Sequence, residues 1–258
     1  MSLRGAAAHV PPGYERVMVG DSTVVALREA VPGIREALSV CRTLHAWAST
    51  LPSATAYQGR ATAWGARVPH SDIDVVVRHS QHGGLLAPLT GDLFLGPSRA
   101  PWELGTSLRL REEGVSTPEV VAYLVYPAGL GFCRADVATR RLPPGEDLPA
   151  AWRRGPIAEH DDQLDAVASL LEQMQRVGAH HPDLNAKNIY LARTERGTWR
   201  AWVLDVDRVQ FLAPEDTLAG AGNAARLRRS LLKWRQREGL LMSDSQIAML
   251  HAAAGGRR

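Results

Sequence analysis

Cysteine is nearly absent: the 258 residues hold two, Cys41 and Cys133. Two thiols are too few for a disulfide framework or a thiolate zinc site, which excludes a secreted disulfide scaffold and suits a reducing compartment. Lysine is as scarce; Lys187 and Lys233 are the only two among 30 cationic side chains, the rest being arginine. A strong charge of either sign is missing too. Thirty basic against 27 acidic residues leave +3, too mild to point to a nucleic-acid partner. No stretch approaches the roughly 18 apolar residues of a membrane span. The N-terminus lacks the ordered charged, apolar and cleavage regions of a secretion signal, so neither an integral membrane protein nor a secreted one is expected. What is present is 45% hydrophobic residues with 23 Gly and 16 Pro, enough for a soluble globular protein with a sizeable core in one or two domains.

Along the chain, residues 1–12 are small, polar and Pro-ended and read as poorly ordered. Two apolar runs around Gly20-Asp21 predict a hairpin over Tyr14 to Leu27. Ile34, Leu38, Cys41, Leu44 and Trp47 recur at helical steps and predict one helix. Gly-punctuated strands follow from Tyr57, the clearest being Ile73 to Arg78, with a turn at Gly83-Gly84. Residues 101–113 read as a helix; strands are expected near Val120–Tyr126 and Gly131–Ala138. Pro143-Pro144-Gly145 breaks the pattern, because two prolines in series continue neither a ladder nor a helix. The expected division is therefore an N-terminal sheet-rich lobe over 1–140 and a C-terminal lobe over 141–258. In the latter, Leu164, Val167, Leu171, Met174 and Val177 predict an amphipathic helix capped at Gly178. A loop, a strand pair and two helices complete it, and the Arg226–Arg237 helix is heavily basic.

The most informative stretch runs from His181 to Leu191. A helix delivers the chain to a loop carrying Asp183 and, five residues on, Asn188; an apolar strand follows. After a turn, Trp202-Val203-Leu204 ends in Asp205-Val206-Asp207. Phosphoryl transfer needs a group to take a hydroxyl proton and ligands that hold Mg²⁺ against phosphates. Because Mg²⁺ takes only one or two ligands from protein, an Asp, an Asn and a second Asp at the end of the neighbouring strand suffice. The set resembles the protein-kinase loop His-Arg-Asp-Leu-x-x-x-x-Asn and the following Asp-Phe-Gly.

Three blocks narrow the resemblance. Asp183-Leu184-Asn185-Ala186-x-Asn188-Ile189 with Asp205-x-Asp207-Arg208, Arg78-His79-x-x-x-Gly83-Gly84-Leu85, and Asn223-x-x-Arg226-Leu227-Arg228-Arg229-Ser230-Leu231-x-Lys233 together look like the 3-deoxy-D-manno-octulosonic acid (Kdo) kinases. These are lipopolysaccharide-core sugar kinases of the protein-kinase-like superfamily. The blocks span about residue 57 to 235 in the right order. What the resemblance implies is an α+β, two-lobed, protein-kinase-like fold. The implied activity is ATP- and Mg²⁺-dependent phosphorylation of the 4-OH of a Kdo residue on the lipid A–inner-core precursor. Asp183 is then the base, Asn188 and Asp205 hold Mg²⁺, and His181 braces the loop. Arg78 stands where protein kinases keep a phosphate-binding Lys, a workable swap because a guanidinium grips phosphate bidentately. Glu103 is then its acidic partner; otherwise it is a solvated helix glutamate. No Gly-x-Gly-x-x-Gly loop is present, although Gly59 to Gly65 could cover phosphates. Pro182 replaces the Arg that reads a phosphorylated activation loop, and no Ala-Pro-Glu follows. A small-molecule acceptor is therefore expected. The implied location is the cytoplasm, peripheral at the inner membrane of a Gram-negative-type bacterium, with a lipid-linked sugar as partner and no protein partner evident.

Other signals stay in view. Asp72 and Asp74 alternate on a strand and could bind two Mg²⁺ in a nucleotidyltransferase; the Ser expected after Gly59 is Arg60. A catalytically silent kinase-like binding module is the other alternative. Gly220 to Ala225 imitates a dinucleotide fingerprint but lacks a preceding strand, and reads as a loop entering a helix. His79/His82 and His180/His181 lack the helix-borne carboxylate companion of a metal site. The basic helix is a solvated face, a cradle for an anionic lipid-linked sugar, or a contact with an acidic membrane surface.

Overall fold

The computed structural model describes residues 9–58, 61–80, 91–95, 98–155, 157–213 and 218–255. Gly59, Arg60 and the Gly83-Gly84 turn lie outside the described residues, as do residues 1–8. The chain divides into two compact units, Met1–Leu108 with Glu119–Arg141, and Arg109–Pro118 with Leu142–Arg258.

The first unit is an antiparallel sheet with a helical layer on each face. Its strands are β1 (Tyr14–Val19), β2 (Ser22–Leu27), β3 (Thr55–Tyr57), β4 (Ala63–Arg67), β5 (Asp74–His79), β6 (Phe94–Leu95), β7 (Val120–Gly129) and β8 (Phe132–Arg140). They are ordered β1-β2-β7-β8-β5-β4-β3, with β6 also on β8. Helices α1 (Val31–Val40), α2 (Leu44–Thr50) and α3 (Ala100–Glu112) accompany the sheet. Strand alternation sends Val75 and Val77 of β5 into the α1/α2 face, where Ile34, Leu44 and Trp47 are buried. Tyr123 and Val137 face the other way with Ala100 and Leu104 of α3. Arg78, between Val77 and His79, shares the α3 face. The single helix expected over Ile34–Trp47 is broken: Cys41 is extended, and the Thr43 side chain caps a new helix by accepting from the Ala46 N–H at 3.1 Å. Of the twelve N-terminal residues read as poorly ordered, 9–12 are described; Val10 packs on the α3-side core, and the Tyr14 N–H bonds Pro11 O at 3.1 Å.

The second unit carries β9 (Gly145–Asp147), α4 (Leu148–Arg154), α5 (His160–Arg176), β10 (Ala179–His180), β11 (Ile189–Arg193), β12 (Trp199–Val203), β13 (Gln210–Phe211), α6 (Leu218–Glu238) and α7 (Asp244–Gly255). Its core joins Leu164, Val167, Leu171 and Met174 of α5 to Ile189 and Leu191 of β11, and to Leu227 and Leu231 of α6. Gly178 follows α5 at φ +65°, and any Cβ there would collide with the Leu212 carbonyl, so the helix stop requires glycine. Gly220-Ala221-Gly222 is not the loop expected but lies within α6. Its small residues allow close packing: a Cβ on Gly222 would sit 2.7 Å from His180 Nε2, and one on Gly220 would strike Gln175 of α5 and the Ala254 carbonyl of α7.

Candidate active site

In the second unit the hairpin β11–β12 fixes the loop chemistry. Ile189 pairs with Val203, and the Leu204 N–H bonds Asn188 O at 2.8 Å, so Asn188 and Asp205 emerge side by side from adjacent strand ends. Asp205 is exposed, has φ +57°, and among the described residues its carboxylate takes no hydrogen bond or ion pair. The Asn188 amide nitrogen donates to Asp183 O at 3.2 Å, which leaves its carbonyl oxygen as the atom able to ligate a cation. One Asp and one Asn oxygen fit a magnesium ion, which draws its other ligands from phosphate and water. Among the described residues no cluster of three His, Cys, Asp or Glu gathers to hold a metal.

The loop before Asn188 is braced from inside. His181 is fully buried; its Nε2 lies 3.3 Å from Leu204 O, which can only accept, and its Nδ1 accepts from the Asp183 N–H at 3.3 Å. That pairing is the neutral tautomer, and burial pushes the imidazole below the usual histidine range. Asn223, 1% exposed, accepts from the His181 N–H and donates to Ala179 O, both at 2.8 Å. Two turns on, Ser230 Oγ accepts from the Ala186 N–H at 3.0 Å. The Lys187 ammonium then lies 5.5 Å from the Trp234 ring centre. The α6 face Asn223–Ser230–Trp234 thus follows the loop residue by residue. Asp183 itself is 41% exposed at the side chain, with Arg208 Nη1 at 2.5 Å and Arg226 Nη2 at 3.8 Å. Asn223, Arg226 and Ser230 stand in the basic-helix block of the sequence, but only the packing of that helix on the loop gives them roles.

In the first unit Arg78 pairs with Glu103, whose side chain is 6% exposed. Glu103 is therefore no solvated helix residue but a buried acid held to a cation. On the opposite face His79 is clasped between two carboxylates: Nδ1 lies 2.7 Å from Asp136, which is wholly buried, and Nε2 lies 2.8 Å from Asp92. The Asp136 hydrogen bond holds the imidazole above its ordinary range against burial, with Asp92 assisting. Sequence reading gave His79 no role, because Asp92 and Asp136 come from distant segments. Gly65, read as the end of a stretch that could cover phosphates, lies within β4 opposite Val76 of β5, and a Cβ there would sit 2.5 Å from the Arg141 guanidinium. Gly59 lies outside the described residues. Asp72 and Asp74 flank the start of β5, and both face Arg67, at 3.7 and 3.0 Å. They form exposed ion pairs at the β4–β5 hairpin.

The sequence profile of the lipopolysaccharide kinase (Kdo/WaaP) family matches residues 45–252. The chain belongs to that family. Its relatives include proteins named 3-deoxy-D-manno-octulosonic acid kinase. That of Vibrio vulnificus strain CMCP6 is 30% identical over 200 residues, covering 74% of this chain and 78% of the relative. That of Xanthomonas oryzae pv. oryzae strain PXO99A is 30% identical over 199 residues, 76% of each. The solved structure of WaaP in complex with acyl carrier protein, 20% identical, superposes with a TM-score of 0.51 over 80% of each chain. The lipopolysaccharide kinase therefore has the two-lobed, protein-kinase-like α+β fold and is a phosphotransferase. Elements β1, β2 and α1 precede the family match, whereas the Asp183 loop and the Arg78–Glu103 pair fall inside it. Among the described residues no helix is long and apolar enough to cross a membrane.

Proposed function

We propose that this lipopolysaccharide kinase transfers the γ-phosphoryl group of ATP to the 4-OH of a Kdo residue on the lipid A–inner-core precursor. The observation that carries the reading is the Asp183–Asn188–Asp205 set, with one group beside cations and two oxygen ligands at adjoining strand ends. Asp183 accepts the acceptor's hydroxyl proton; its exposure leaves it open to substrate, and a positioned base contributes roughly 10²- to 10⁴-fold. Asn188 and Asp205 are the residues that hold Mg²⁺, and when bound the ion neutralises charge developing on the phosphates. Arg78 grips phosphate oxygens, and buried Glu103 fixes the direction of its guanidinium. His181, neutral and buried, holds the Asp183 backbone without competing for the proton.

Arg228, Arg229 and Arg237 of α6 are exposed and suit an acidic membrane surface. On this reading the enzyme works peripherally at the cytoplasmic face of the inner membrane, beside its lipid-linked acceptor. The experiment is phosphate transfer from γ-labelled ATP with Mg²⁺ to a Kdo–lipid acceptor. Labelled lipid should vanish with Asp183→Ala and survive Asp72→Ala/Asp74→Ala. Asn188→Ala and Asp205→Ala should each raise the Mg²⁺ concentration needed for half-maximal rate. Nucleotide incorporation that depends on Asp72 and Asp74 would sink the assignment.

A further inference from the structure

Two guanidinium groups flank the Asp183 carboxylate, and they are committed differently. Arg208 reaches Oδ2 at hydrogen-bonding distance, 2.5 Å. Arg226 stops at 3.8 Å from Oδ1, beyond a hydrogen bond, with its side chain 46% exposed. Among the described residues its guanidinium makes no hydrogen bond, so its donors are available. Its position is not left to a flexible stem alone. Arg226 lies between Asn223 and Ser230 on the α6 face that Asn223 and Ser230 bond to the loop. The helix thus presents a planar cation, ion-paired but not hydrogen-bonded, directly beside the Asp183 carboxylate.

Given the acceptor proposed above, on which this inference rests, we infer that Arg226 binds the carboxylate of the acceptor sugar and makes the enzyme specific for a sugar acid. Kdo is an acid, and four bonds of about 1.5 Å separate its carboxyl carbon from the 4-oxygen, so the two lie within about 5 Å of each other. A hydroxyl about 2.7 Å from Asp183 and a carboxylate about 2.8 Å from Arg226 then close a quadrilateral with the Asp183–Arg226 edge. That edge measures 3.8 Å. The sugar ring spans the two side chains with both bonds made. A neutral sugar offers Arg226 only uncharged hydroxyl acceptors in exchange for its hydration, whereas a carboxylate fits its fork bidentately. Arg208, already bonded to Asp183, keeps that carboxylate oriented.

The test compares kcat/KM for a lipid acceptor carrying a single Kdo, as the free acid and as its carboxyl methyl ester, in wild type, Arg226→Gln and Arg226→Lys. Wild type should lose about 10- to 100-fold on esterification. Arg226→Gln should fall by a similar factor on the acid and lose little more on the ester. Arg226→Lys, which keeps the charge but not the fork, should discriminate to an intermediate degree. A residue that only steadied Asp183 would slow both substrates alike, so wild-type discrimination retained in Arg226→Gln would overturn the inference. So would wild-type indifference to esterification, a result that needs no variant to fold. Wild-type inactivity on the free acid, with transfer to a different acceptor, would instead overturn the acceptor reading and this inference with it.

Discussion

Asn223 offers the sharpest test of how the catalytic loop is held. Replacing it with alanine removes the acceptor for the His181 N–H and the donor to Ala179 O, two bonds of 2.8 Å. His181 and Ala179 are both 0% exposed, so water does not repair the loss. A buried backbone group left without a partner costs about 1–3 kcal/mol, so two such groups give about 2–6 kcal/mol. That is a large part of the roughly 5–15 kcal/mol by which domains are stable. Urea unfolding followed by tryptophan fluorescence measures it. Asn223→Asp refines the argument: the carboxylate still accepts from His181 but opposes the Ala179 carbonyl with a lone pair. Burial raises the pKa of the new carboxyl above its unfolded value, so the protonated form, which restores the donor, is favoured in the fold. Its deficit should therefore be smallest at low pH and grow as pH rises through that raised value. Both variants should also lower kcat, since the displaced backbone carries Asp183. A cost under about 1 kcal/mol for Asn223→Ala, or a pH-independent deficit for Asn223→Asp, would refute the bracing role.

Two further outcomes follow from the first unit. His79 is raised above its ordinary pKa chiefly by its hydrogen bond to Asp136, so its contribution to stability is complete below the unfolded histidine value and lost as pH rises through the folded one. The stability gap between wild type and His79→Gln should accordingly narrow as pH rises above the unfolded histidine value of about 6.5, and a constant gap would contradict the clasp. Arg78→Met takes the cation from beside the buried Glu103 carboxylate and should cost up to about 3 kcal/mol, whereas Arg78→Met/Glu103→Leu should recover part of that stability without recovering activity. Thermal melts of the single and double variants, run beside ATP-dependent turnover, separate the two effects; equal melting temperatures would argue against a buried pair.

Residues close in the chain were legible because local chemistry sets them. The spacing of Asp183 and Asn188, the amphipathic α5 with its glycine stop, and the β11–β12 hairpin that delivers Asp205 all follow from short-range periodicity and turn residues. The same holds for the Tyr14–Leu27 hairpin and for the break after β8. Where reading failed, a local signal was outweighed or absent. Apolar spacing across Cys41 promised one helix, but the Thr43 cap started a second; glycines at 220 and 222 promised a loop, but close packing against Gln175, Ala254 and His180 made them helix.

The sequence by itself determined the reaction type, because Asp183, Asn188 and Asp205, the groups proposed as proton acceptor and metal ligands, sit within one loop and one hairpin. Only the tertiary structure decided how those groups are held and what surrounds them. It buried Glu103 against Arg78, clasped His79 between carboxylates 13 and 57 residues away, and laid α6 along the loop so that Asn223 and Arg226 reach His181 and Asp183, 42 and 43 residues from them (223 − 181 and 226 − 183). The physical reason is that a buried hydrogen bond or a shared cation depends on which side chains meet after the core has packed, and no periodicity records that meeting.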